Sequence, residues 1–166
     1  MGRPGPLTAG RDAPEIALRT VEDGDSAMLL AWRNESAAVR FSATGRPVTA
    51  AEHERWFARV RGHQSGTTIW IIEDNGTPVG QVRVDVEDGV GVVSIAIAVE
   101  HRGRGIGPNA LRAMVAAVTA LGGVQVLRAL AHPDNSPSLR AFEVAGFHRT
   151  AVAENGFAVM ELPVGT

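Results

Sequence analysis

The hydrophobic pattern of this chain changes period several times, and each change marks an element. Ile16 to Val21 reads as a short strand, after which Asp25 stands where it caps a helix with Met28, Leu29 and Trp32 at helical spacing. Thr49 followed three residues later by Glu52 is a capping box, opening a second helix through Trp56, Phe57 and Val60 to Gly62. Thr67 to Glu73, Pro78 to Val86 and Gly91 to Ile97 are β-branched runs separated by Asp-Asn-Gly and Glu-Asp-Gly turns, which predicts an antiparallel meander. In the middle run Gln81, Arg83 and Asp85 alternate with Val82, Val84 and Val86, so one face is polar.

From Gly107 the period is helical: Leu111, Met114, Val115, Val118 and Leu121 share a face that ends at Gly122-Gly123. Val124 to Ala131 is largely apolar, as befits a buried strand beside a parallel neighbour. Ser136 to Ala145, with Pro137 in its first turn and Gly146 beyond it, predicts a further helix, and Ala158 to Leu162 a last strand. The sum is α+β: a mixed, mostly antiparallel central sheet with flanking helices and one parallel crossover. Residues 1–15 hold three Pro, three Gly and two Arg with hardly any apolar residue, and read as a flexible leader before a single domain, 16–166.

Composition narrows the chemistry. The 166 residues suffice for one domain with a sizeable core. Sixteen basic against eighteen acidic residues give a net charge of −2, so no positive field points to nucleic acid. Every basic residue is Arg; Lys, Cys and Tyr are absent. That excludes disulfides, thiolate zinc sites, a Cys nucleophile, a Schiff-base Lys and the Lys of a Walker loop. His53, His63, His101, His132 and His148 show no metal-ligand spacing, so no metal is expected. With no apolar h-region at the start and no run long enough for a membrane span, a cytoplasmic protein without a membrane partner is the simplest expectation.

The most informative stretch runs from Ile95 to Gly107, where a buried strand enters a loop with Gly103, Gly105 and Gly107 and then a helix expected to start at Pro108. Glycines let the backbone approach a ligand, and the first helical turn offers unpaired N–H groups at the positive end of the dipole. Arg102 and Arg104 add two permanent charges suited to a pyrophosphate. Gly105-Ile-Gly-Pro-Asn-Ala110 also satisfies a dinucleotide fingerprint, but it lies too late in the chain and lacks the acidic ribose partner about 20 residues on.

Arg102-Gly-Arg-Gly-Ile-Gly107 resembles the Arg/Gln-x-x-Gly-x-Gly/Ala signature of the GCN5-related N-acetyltransferases (GNAT). Asn135-Ser-Pro-Ser138 and Phe142-Glu-Val-Ala-Gly-Phe147 are similar to the same family's second block. The resemblance implies the acyl-CoA N-acyltransferase fold, with acetyl-CoA between the strands ending near Ile97 and Ala131. Pantetheine would pair with Ile95 and Ile97, the pyrophosphate would lie on Arg102, Gly103, Arg104, Gly105, Ile106 and Gly107, and Asn135 and Ser138 would stand near the pantetheine and its sulfur. The family's acidic Tyr is replaced by Phe142, so Ser138 is the candidate donor to the leaving thiolate. Asp85, Glu73 and Glu100 are candidate proton acceptors, with Asp85 put first.

Trp32, Arg33 and Asn34, with Glu52 to Phe57, resemble the acceptor region of pseudaminic-acid-type amino-sugar acetyltransferases and of ribosomal-protein N-terminal acetyltransferases. The expected activity is acetyl transfer from acetyl-CoA to a primary amine of a small molecule, a nucleotide-linked amino sugar first. A protein N-terminus, an aminoglycoside, or a non-catalytic acyl-CoA-binding module are the alternatives. Pairing of two copies through sheet edges, a homodimer, is an analogy from the family.

Overall fold

A computed structural model describes residues 14–165. Apart from Pro14 and Glu15, the expected leader lies outside the described residues. Glu15 is joined to the sheet: its N–H donates to Asp74 Oδ1 at 3.0 Å and its carbonyl accepts from the Asn75 N–H at 3.2 Å.

The elements follow in the order β1 (Ile16–Thr20), α1 (Ser26–Arg33), α2 (Ser36–Phe41), α3 (Ala50–Arg61), β2 (Thr67–Asp74), β3 (Thr77–Glu87), β4 (Val90–Ile97), α4 (Ile106–Leu121), β5 (Val126–Ala131), α5 (Ser136–Val144), β6 (His148–Val152) and β7 (Ala158–Pro163). The strands form one seven-stranded sheet ordered β1-β2-β3-β4-β5-β7-β6. Only β4 and β5 run parallel, because the α4 crossover returns the chain to the same end. The mixed α+β sheet expected from the pattern is the sheet observed.

Each face carries its own core. Val82, Val84, Val93, Leu127 and Ala129 bury against Ala110, Leu111, Met114 and Val118 of α4, and Phe142 and Phe147 of the α5 region close one end. On the opposite face Ile69 and Ile71 of β2 meet Leu29 of α1 and Phe57 and Val60 of α3. The period-two alternation of β2 and β3 supplies both cores, which is why Gln81, Arg83 and Asp85 lie on the α1–α3 face.

The capping box at Thr49 and Glu52 forms as the sequence implies. Asp25 does something else. Its carboxylate accepts the Glu22 N–H at 2.7 Å and both terminal nitrogens of Arg19, at 2.8 and 2.9 Å, inside a 3₁₀ turn at Asp23–Asp25. Two elements escape the hydrophobic pattern because neither buries a residue. They are the six-residue α2, held by the Glu35 side chain accepting from the N–H groups of Ala37 and Ala38, and the edge strand β6. Helix α4 begins two residues before Pro108, since Gly105 at φ +77° makes the turn that precedes it.

Gly80 of β3 stands opposite Ile97, and a side chain there would run into the Ala96 carbonyl oxygen. Its smallness therefore holds the last residues of β4 against β3. Gly80→Ala should lower stability by about 1–3 kcal/mol through overpacking, read as a lower urea midpoint with an unchanged m-value.

Candidate active site

The site begins where two strands part. The β4–β5 pairing ends at Val93–Ala129, yet β4 continues against β3 as far as Ile97, and β5 continues against β7 as far as Ala131. The Ala98 N–H donates to the Val79 carbonyl at 2.8 Å, so the alternation of the strand turns the main-chain groups of Ile95 and Ile97 the other way, into the gap. The Ile97 carbonyl accepts from Arg102 Nε at 2.9 Å. Ile95 lies past the last β4–β5 pair, so its main chain is left for a partner outside the sheet.

The loop after β4 leads to the start of α4. Gly103 and Gly105 have φ of +75° and +77°, and nothing lies within 4 Å of the place a Cβ would occupy on either. Gly105 is the N-cap of α4 and supplies no side-chain acceptor, so the N–H groups of the first turn converge on open space at the positive end of a 16-residue helix. The two arginines are used differently from the sequence reading. Arg102 Nη2 reaches Glu35 Oε2 at 2.8 Å, and Arg104 Nη2 reaches Asp74 Oδ2 at 2.9 Å. Both side chains tie the loop to neighbouring elements, and the main chain of the loop is what remains for an anion.

Helix α5 flanks this opening. Asn135 caps it by accepting the Ser138 N–H at 3.3 Å. Ala141 lies 3.6 Å from the Cβ position of Gly107, and Ser138 is one turn ahead of it on the same side of α5. Phe142, the residue in the place of the family Tyr, is buried with its ring 5.1 Å from that of Phe147.

On the α1–α3 side, Ala31, Trp32, Glu35, Ile97, Glu100 and Arg102 line a cavity of about 270 Å³ at the end of β4. Trp32 also packs against the core on the α1–α3 face. Asn34 braces the connection after α2, donating from Nδ2 to the Val48 carbonyl at 2.8 Å and accepting the Val48 N–H at 2.7 Å. Arg33 is half-buried, with Nη1 enclosed and unpartnered.

Of the carboxylates considered as proton acceptors, only Glu100 lines the cavity. Glu73 pairs with Arg19 at 3.5 Å, and Asp85 is engaged by the Thr67 hydroxyl and by Arg83 Nε at 3.1 Å. Asp85 is also five residues along β3 from Gly80, about 17 Å from the end of β4.

Three features escaped the sequence reading: Glu35, Gln81, and an aromatic row in which Phe41 and Phe157 each lie 5.3 Å from His132. The row joins α2, the segment after β5 and the segment before β7. Its members are far apart in the chain, and no local spacing announces it. Among the described residues no group of three or more His, Asp or Glu could hold a metal, and no helix is long and apolar enough to cross a membrane.

The Acetyltransferase (GNAT) domain family matches residues 15–148. The chain belongs to the GNAT acetyltransferase family. It is 27% identical over 162 residues to aminoglycoside N(6′)-acetyltransferase type 1 of Klebsiella pneumoniae, covering 87% of this chain and 80% of that one. It is 30% identical over 140 residues to YwnH of Bacillus subtilis (strain 168), provisionally assigned as a phosphinothricin acetyltransferase, covering 80% and 83%. The crystal structure of aminoglycoside acetyltransferase AAC(6′)-Ib with coenzyme A superposes with a TM-score of 0.77 at 25% identity, covering 90% of this chain and 95% of that one. The family expected from the two motifs is therefore the family found. The amino-sugar and ribosomal-protein branch read from Trp32-Arg33-Asn34 finds no support, since these relatives are named for aminoglycosides and phosphinothricin.

In this acetyltransferase Glu35 joins both halves of the site, capping α2 while holding Arg102. The Arg102 guanidinium, then the Ala37 N–H, lower its pKa from 4.5 to about 2. A depressed carboxylate stabilises the fold fully above its ordinary value, and that contribution is lost as pH falls from 4.5 through about 2. Glu35→Gln should cost about 1 kcal/mol at pH 7 and flatten the pH dependence of stability across that acid window, measured by denaturant titration from pH 6 to pH 2.

Proposed function

We propose that this protein transfers the acetyl group of acetyl-CoA to a primary amine of a small molecule by direct attack. The observation that carries the reading is the parted β4–β5 pair running into an open loop of main-chain N–H groups. An acyl-CoA has the chemistry that such a path requires, with amides along its arm and a diphosphate at its end. When bound, it supplies an activated thioester.

The chain's own residues then divide the work. Ile95 and Ile97 offer strand-edge main chain to the arm. The N–H groups of Gly103 to Gly107 bind the diphosphate, with Arg102 and Arg104 bracing the loop through Glu35 and Asp74. Asn135 fixes the first turn of α5, and the Ser138 hydroxyl donates a hydrogen bond to the developing thiolate, a role that Phe142 cannot fill. Glu100, lining the cavity at the end of β4, is the carboxylate that accepts the ammonium proton. Asp85, the first choice from the sequence, is held by Thr67 and Arg83. With no Cys in the chain, transfer passes through no thiol acyl-enzyme. Small polar amines fit a cavity of about 270 Å³.

Acetyl-CoA with an amine panel should give amine-dependent thiol release; tight CoA binding with no release from any amine would make the protein a binding module instead. Gly105→Val should abolish CoA binding by calorimetry, because it fills the open space and strains a φ of +77°. Ser138→Ala should lower kcat by about tenfold to a hundredfold while leaving the Kd for CoA within twofold.

A further inference from the structure

Arg33 Nη1 and Gln81 Oε1 are buried without a hydrogen-bond partner, and Arg83 Nε, also buried, has only the Asp85 carboxylate 3.1 Å away. Gln81 and Arg83 are two residues apart on β3 and so point to the same side, about 7 Å apart along the strand. Arg33 ends α1, the helix that packs on that face through Leu29. Burial, first, and then repulsion from Arg83 and Arg46 disfavour its charged form.

Carboxylates nearby do not balance them. Asp85 offsets Arg83, and its other oxygen is taken by Thr67. Glu52 pairs with Arg46 at 3.2 Å, Glu35 with Arg102 at 2.8 Å, and Glu73 with Arg19 at 3.5 Å. Among the described residues, Arg33 has no carboxylate. An enclosed guanidinium without a counter-charge is costly, and a hydrogen-bonded anion is what relieves it.

The position of the cluster ties it to the reaction. Gln81 faces Ala96 and Arg83 faces Ser94 across the β3–β4 ladder, and Arg83 Nη2 is 3.5 Å from Ser94 Oγ. These β4 residues are small, and they flank Ile95, where the pairing with β5 has just ended. The cluster is thus about one strand spacing, near 4.8 Å, from the gap. Along β4 the order is fixed as well: Gln81 stands nearer the end of the strand and Arg83 further in.

We propose that Arg33 and Arg83 form an oxyanion subsite for the acceptor, with Gln81 Oε1 receiving an N–H of its amine. The substrate class is a small amine that carries a carboxylate, phosphinate or phosphonate a few bonds away. This inference rests on the acetyl-transfer reading and narrows it. It excludes polycationic acceptors, for which two adjacent guanidiniums are repulsive.

The test uses the full chain with acetyl-CoA and four acceptors. Phosphinothricin carries both oxyanions, methionine only a carboxylate, aminomethylphosphonate only a phosphonate, and kanamycin none. Thiol release is measured together with calorimetric binding of each acceptor to the CoA-loaded protein. At least one oxyanion-bearing amine should exceed kanamycin in kcat/KM by a hundredfold or more, and comparison of the three assigns which oxyanion is taken. Arg33→Gln should raise the KM for that acceptor at least tenfold with a smaller change in kcat, and Arg33→Lys should recover part of it. Arg83→Gln provides the same readout if Arg33→Gln does not fold. Kanamycin performing as well as the best anionic amine, or a KM unmoved in both Gln variants, would overturn the subsite. If no amine releases thiol, the transfer reading fails separately. Calorimetry then decides the subsite alone: oxyanion-amine binding lost in the Gln variants supports it, and no binding to the wild-type protein overturns it.

Discussion

A sheet interior cannot leave its main-chain polar groups without partners, and the gap between β4 and β5 breaks that demand at one place only in the ladder between them. Both strands stay anchored on their outer sides, β4 to β3 through Ile97 and β5 to β7 through Ala131, so neither can swing in to close the gap. Gly80 contributes by letting β3 lie tight against the last residues of β4. The exposed edge is therefore a rigid feature of the fold, and the loop, α4 and α5 are arranged around it.

Charge is arranged with the same economy. A glycine loop flanked by two arginines looks like a phosphate site made from side chains. In the folded protein both guanidiniums turn away, Arg102 to Glu35 and Ile97, Arg104 to Asp74. They fix the loop so that the N–H groups of the main chain keep their direction. Arg33 and Arg83 differ because they are enclosed without a full set of carboxylates. The positive potential thus lies on the α1–α3 face of the sheet, where no charge count along the sequence would place it.

Most of the fold was legible because its elements bury one face. The meander, α3, α4, β5, α5 and β7 all carry an apolar stripe or alternation, and each appears within a few residues of its expected bounds. Helix α2 and strand β6 were not, since they are held by a cap and by ladder bonds at the sheet edge. The glycine loop proposed for the cofactor could be picked out for a related reason: its glycines, its cap and its helix start are neighbours in the chain. The side proposed for the acceptor could not. Asp85 and Gln81 occupy the same polar face of one strand, and only the folded structure reveals that Thr67 and Arg83 engage the first while the second has an unmet acceptor.

The aromatic row of Phe41, His132 and Phe157 differs in kind from the loop of amides. Amides are common to nearly every amino acid, so random replacement of loop side chains leaves much of that framework unchanged. The row consists of side chains alone; the ladder ties two of its segments nearby, at Ala131 and Ala158, but the contacts of the row are made ring to ring. Over evolutionary time such a row can be rewritten residue by residue while the amide framework persists, which gives one scaffold a route to new specificities by side-chain drift.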